Sequence, residues 1–270
     1  MTSPKPVVIA NLWGQLRQFT DARIALGRTG ASLPTQPQLA FQLAHAQARD
    51  AVHQALDVPR LLQDMVAAGL QEPCVLHSEV TDRLQYLQRP DLGRRLDAPS
   101  RERLKSLPPA PGAGWDIAIV IADGLSSLAV AQNAVPLLVA LRRLLADDVR
   151  VAPPAVVQQG RVAIGDEIGE LLGARLVLLL IGERPGLSSP DSMGAYLTWA
   201  PRVGLTDASR NCVSNIRPAG LPWDEAAAKV HYLLTGMQAR QLSGVGLKDE
   251  SASAPQVTGF QHGNFLLGQS

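Results

Sequence analysis

Cysteine, net charge and long apolar runs are all scarce in this chain, and each scarcity removes a class of protein. Only two cysteines occur in 270 residues, Cys74 and Cys212, far apart and without a Cys-x-x-Cys spacing. That argues against a disulfide scaffold and against a structural zinc site, and it fits a reducing, cytosolic compartment. The formal net charge of +1 is too small to draw the chain broadly to nucleic acid or to an anionic membrane. Asp, Arg or Gly interrupts every apolar run before it reaches transmembrane length, and no basic region followed by a long apolar run opens the chain. The expectation is a soluble cytoplasmic protein with no nucleic-acid or membrane partner.

Chemical motifs are missing as well. Neither Gly-x-Gly-x-x-Gly nor a phosphate-loop Gly-Lys-Ser/Thr is present, so ordinary dinucleotide or nucleoside triphosphate binding has little support. There is no Gly-x-Ser-x-Gly elbow for a Ser-His-Asp set, and a Cys212 nucleophile would need His231 or another distant histidine beside it by chance. His45 and His53 ride one helix eight residues apart, about 12 Å along its axis, too far for one metal. Asp166, Glu167 and Glu170 match no metal spacing and suit the first turns of a helix, where negative charge is favourable.

What is present is a large apolar fraction, 46%, enough for a real core, in a chain whose length suggests about two domains. Residues 7–20 place Ile9, Leu12, Trp13, Leu16 and Phe19 at spacings of three and four, an amphipathic helical pattern whose apolar stripe needs a partner. A short helix over 22–26 and helices over 38–56 and 60–68 follow, then a short strand over 73–79. Arg89, Arg94 and Arg95 surround a Pro-Asp turn in 86–96; they could clamp an anion or stand solvated. Residues 108–114 are a Pro/Gly/Ala linker.

Beyond the linker the pattern alternates: strand 115–122, turn 123–127, helix 128–145, strand 149–159, loop 160–166, helix 167–173 and a buried strand from Ala174 to Gly182. Such alternation builds a parallel sheet. A candidate strand over 195–199, a polar stretch over 206–215 and a strong helix over 225–241 complete the order. The fold class is therefore α/β, a mostly parallel Rossmann-like sheet flanked by helices. It carries a small N-terminal helical domain, 1–57, before the α/β domain, 58–250, and a flexible C-terminal tail, 251–270. In open parallel sheets ligands sit beyond the carboxyl ends of strands. Glu183, in the corner Gly182-Glu183-Arg184-Pro185-Gly186, stands at such an end, and the loops around Val162 and Cys212 should reach the same edge. On these grounds alone the corner is either a ligand contact or a structural turn, and the pocket could serve a stand-alone cofactor- or nucleotide-binding enzyme using Ser126 and Glu183.

Five ordered motifs narrow this. Ala-Arg-Ile-Ala-Leu-Gly-Arg-Thr-Gly at 22–30, Tyr-Leu-Gln-Arg-Pro-Asp-Leu-Gly-Arg-Arg-Leu at 86–96, Asp123-Gly124-Leu125-Ser126, the Gly182 to Gly186 corner and Asn211-Cys212-Val213-Ser214-Asn215 together resemble the small (light) subunit of ethanolamine ammonia-lyase. The likeness runs from about residue 16 to 248. It implies an adenosylcobalamin enzyme of large and small subunits, which converts ethanolamine to acetaldehyde and ammonia by radical rearrangement, with the cofactor held between the subunits. The positions matching the family's cofactor contacts are Val162, Glu183 and Cys212, and the resemblance assigns no catalytic residue and no metal ligand to this chain. It also implies that the small subunit is inactive alone. The Asp-x-His-x-x-Gly pattern that lends cobalt a histidine is absent. Some family members carry an N-terminal extension linked to packaging in a bacterial microcompartment; this chain starts almost directly at its first helix, so encapsulation stays an open expectation beside a cytoplasmic location.

Overall fold

The computed structural model describes residues 7–107, 112 and 114–250. Its framework is one six-stranded sheet in the order β1-β3-β2-β4-β5-β6. The strands are β1 (Cys74–His77), β2 (Trp115–Ala122), β3 (Ala155–Gln158), β4 (Ala174–Gly182), β5 (Met193–Trp199) and β6 (Arg210–Ile216). The first four pair in parallel; β5 runs antiparallel to β4, and β6 antiparallel to β5. Only β5 therefore opposes the common direction, which agrees with a mostly parallel α/β sheet. The helices are α1 (Thr35–His53), α2 (Val58–Ala67), α3 (Arg83–Gln88), α4 (Ala98–Lys105), α5 (Ser127–Arg142), α6 (Ile164–Leu172) and α7 (Trp223–Arg240).

The continuous apolar runs of β2 and β4 follow from burial on both faces, the usual environment of central parallel strands. Side chains alternate across the sheet. Ile117, Ile119 and Ile121 of β2 and Leu176, Leu178 and Leu180 of β4 pack under α5 and α7 with Met193, Ala195, Leu197 and Val213. The intervening Ala118, Val120 and Ala122, with Val177, Leu179 and Ile181, face the other way beneath α4 and α6. That second cluster reaches β5 only through half-buried Tyr196 and contains no residue of β6. Helix α5 starts at Ser126, whose hydroxyl accepts from the Ala129 amide at 3.2 Å, and tolerates Pro136 inside it.

Several sequence expectations are corrected. The stretch around Cys212 is strand β6, not a loop: its buried Arg210, Val213 and Ile216 lie three apart and its pairing with β5 is irregular between Met193 and Ala195, so no period of two marks it. Strand β3 is shorter than 149–159 because Pro153 and Pro154 cannot donate to the ladder; Val151 makes only an isolated bridge to Ile117. Residues 22–26 form no helix. The expected amphipathic helix at 7–20 is instead a 3-10 helix, Leu12–Phe19, capped by Asn11, that buries no residue. Helix α1 buries only Ala44, Ala48 and Ala51, so the helical N-terminus is loosely tied to the sheet. The 86–96 region is no open loop: α3 ends at Gln88, and a 3-10 turn spans Leu92–Arg94. There Arg89 pairs with Asp91 at 2.7 Å on the surface, and Arg94 and Arg95 are exposed. The tail at 251–270 and most of the 108–114 linker lie outside the described residues. No helix among the described residues is long and apolar enough to cross a membrane.

Candidate functional site

The chain leaves β2 for β3 by α5 on one face of the sheet and returns to β4 by α6 on the other. This reversal gathers three carboxyl-end connections at one edge, the place where open α/β sheets hold ligands. Glycine makes the junction possible. Gly124 has φ +61°, and a Cβ on Gly182 would lie 2.0 Å from the Ser126 carbonyl oxygen, so the β2–α5 turn and the end of β4 touch backbone to backbone. The Leu125 amide donates to the Gly182 carbonyl at 3.0 Å.

A cleft of about 420 Å³ opens on this junction, its walls including Tyr86, Arg161, Val162, Glu183, Arg184 and Tyr196. Val162 enters from the turn before α6, half-buried against the apolar cluster beneath that helix. Glu183 follows β4. Its amide donates to the Ser192 carbonyl at 3.0 Å, and the Ser192 hydroxyl donates to Oε2, which fixes the carboxylate to the start of β5. Oε1 accepts no hydrogen bond from the described residues. Beneath it is Gly194, where a Cβ would come 3.0 Å from Glu183 Oε1 and 3.2 Å from Tyr196 Cε2. The missing side chain keeps the floor between carboxylate and phenol shallow.

Cys212 lines the same surface one strand further out, directly across from Tyr196 in the β5–β6 ladder. Desolvation pushes its thiol up, the Glu183 carboxylate adds to that, and a hydrogen bond with Tyr196 opposes it. The thiol is therefore protonated at neutral pH and a poor nucleophile. Burial likewise raises the Tyr196 hydroxyl, helped by Cys212 and Glu183. The structure thus gathers all three sequence-predicted positions: Val162 and Glu183 in one cleft, Cys212 on the adjoining open face through Tyr196.

Behind the cleft lies a polar cluster that sequence reasoning missed. Asp123, buried at 4% exposure, accepts from the Gly124 and Gly160 amides at 3.0 and 3.1 Å and lies 3.6 Å from Arg83. Burial raises its pKa, and the amides and Arg83 oppose the rise. Tyr86 donates to the Gly160 carbonyl at 2.9 Å, while the guanidinium carbons of Arg161 and Arg83 stand 4.0 and 4.6 Å from its ring centre. Arg161 Nε and Arg83 Nη2 are buried without a partner. Arg161 could have been found, since it adjoins Val162 in sequence. Tyr196 and Ser192 carry no local signal; only strand pairing brings them in. Among the described residues no group of three His, Cys, Asp or Glu side chains could hold a metal ion.

With this geometry in place, comparison with known proteins is informative. A family profile described as "Ethanolamine ammonia-lyase light chain (EutC)" matches residues 10–248. The chain is 58% identical over 261 residues to the ethanolamine ammonia-lyase small subunit of Azotobacter vinelandii (strain DJ / ATCC BAA-1303), covering 96% of each. It is 57% identical to that of Ralstonia nicotianae (strain ATCC BAA-1114 / GMI1000), again over 96% of each. It is 55% identical to that of Pseudomonas aeruginosa (strain UCBPP-PA14), over 95% of this chain and 94% of the relative.

Proposed function

Since the chain belongs to the ethanolamine ammonia-lyase light-chain family, we propose that its open sheet edge holds adenosylcobalamin against the large subunit of that lyase. In this reading the complex converts ethanolamine to acetaldehyde and ammonia in the cytoplasm, and this chain is inactive alone. Homolysis of the cobalt–carbon bond is the chemistry that the cofactor supplies when bound. The residues of this chain bind and orient. Val162 offers apolar surface to the corrin or its lower base, Glu183 accepts from side-chain amides, and Cys212 makes a small packing or backbone contact. Substrate handling is left to the large subunit, so no side chain here has a catalytic role.

One observation carries the reading: Glu183 has one carboxylate oxygen tied to Ser192 and the other open in the cleft, above the Gly194 floor. That fits an amide donor approaching edge-on. The N-terminal segment supports a partner surface too, since Leu12 is 97% and Trp13 57% exposed on the apolar stripe of its 3-10 helix. The large subunit is the proposed cover. Mixing separates the possibilities. Neither the purified chain nor the large subunit alone should deaminate ethanolamine, whereas both together with adenosylcobalamin should. Activity of this chain alone, or none after mixing, would sink the proposal.

A further inference from the structure

Arg161 and Arg184 share the cleft with Val162 and Glu183, yet neither makes an ion pair among the described residues. Arg184 is exposed; Arg161 is half-buried, its Nη2 donating to the Tyr86 carbonyl at 2.8 Å and its buried Nε donating to nothing. Arg83 also stands over the Tyr86 ring, and its Nη2 is a second buried nitrogen without a partner. Burial lowers the Arg161 pKa, Arg83 and Arg184 lower it further, and Tyr86 and Asp123 oppose the fall. Against three guanidiniums stand two carboxylates, Asp123 and Glu183. Asp123 pairs with Arg83 at 3.6 Å and accepts from backbone amides, and Glu183 holds Ser192, which leaves Arg161 and Arg184 without a carboxylate. The balance is an unmatched positive charge at a strand-end edge, where forked donors suit a tetrahedral oxyanion. A cleft of about 420 Å³ is also too small for a whole corrin with its side chains and is sized for one appendage.

We propose that Arg161 and Arg184 form an anion subsite that grips the phosphodiester of the cofactor's nucleotide tail, with Arg83 behind them. The inference rests on reading the cleft as a cobalamin contact. It adds to that reading a charged anchor separate from the Glu183 carboxylate.

Cobinamide, the corrin without phosphodiester, ribose and base, provides the test. The assembled two-subunit complex is titrated by absorbance with cyanocobalamin and with cobinamide, in wild type and in Arg161→Ala, Arg184→Ala and Glu183→Ala. Each arginine variant should weaken cobalamin roughly 10- to 100-fold and leave cobinamide within about twofold. Glu183→Ala should weaken both ligands alike. Wild-type discrimination between the ligands should also shrink from about 50 to 500 mM salt, as screening of an exposed charge contact requires. Arg184 is exposed and holds no structural contact, so its variant keeps the test valid if Arg161→Ala misfolds. Equal loss of both ligands in the arginine variants, no loss in either, or salt-insensitive discrimination overturns the subsite. If Glu183→Ala alone changes nothing while the arginine effects hold, the subsite stands and the Glu183 contact is what fails.

Discussion

The two faces of the sheet are finished differently over the same pair of strands. On one side β5 and β6 send Ala195, Leu197 and Val213 under α5 and α7, where all are buried. On the other, α6 covers β2 and β4 and stops short, so Tyr196 is half-buried and Cys212 exposed beside Gly194 and Glu183. The first face supplies stability through apolar burial. The second is a surface on which no described helix of this chain packs. The contrast predicts that substitutions separate cleanly: those on the sealed face cost folding, and those on the open face cost binding.

The sharpest break comes from the sealed face. Leu178→Ala empties a fully buried site in β4 and should cost about 2–5 kcal/mol in denaturant unfolding. A cost under about 1 kcal/mol would mean that face is loosely packed. On the open face, Glu183→Ala should change stability by less than about 0.5 kcal/mol but weaken cobalamin binding to the complex by about 1–3 kcal/mol. If unfolding rather than affinity moves, Glu183 is structural. Next comes Trp13→Ser, on the N-terminal 3-10 helix, 57% exposed: the unfolding midpoint should not move, while the assembly constant with the large subunit falls roughly tenfold, about 1.4 kcal/mol. Smallest is the effect on the Cys212 thiol. In a Cys74→Ala background, alkylation by iodoacetamide should titrate above the ordinary thiol value, and Glu183→Gln should bring that midpoint down by removing a negative charge. An unchanged or rising midpoint would show that the two side chains are not coupled.

Legibility in the sequence followed how local each cause was. Strands β2 and β4 announced themselves because both faces are buried and, beyond Asp116 and Arg175 near their starts, no polar residue interrupts them. The parallel order followed from strand and helix alternation. Strand β6 hid because, as an open edge, it is mostly polar, with Asn211, Ser214 and Asn215 in it, and its buried positions follow no period of two. At residues 12–19 the periodic stripe was real, yet periodicity reports amphipathicity and not the helix type, and here a 3-10 helix that buries no residue formed. In the site, Val162 and Glu183 were visible as strand-end residues in motifs. Tyr196, Ser192 and the Arg83–Tyr86–Arg161 stack were not, since their neighbours come from other strands or lie about 75 residues apart in sequence.

The account centres on a corrinoid held across the open edge. A density map of the two-subunit complex with cobalamin tests that most directly. The predicted result is corrinoid density in contact, within about 4 Å, with Val162, Glu183 and Cys212, beside the Tyr196 ring. Density enclosed wholly by the large subunit, with none of those three residues touching it, would contradict it.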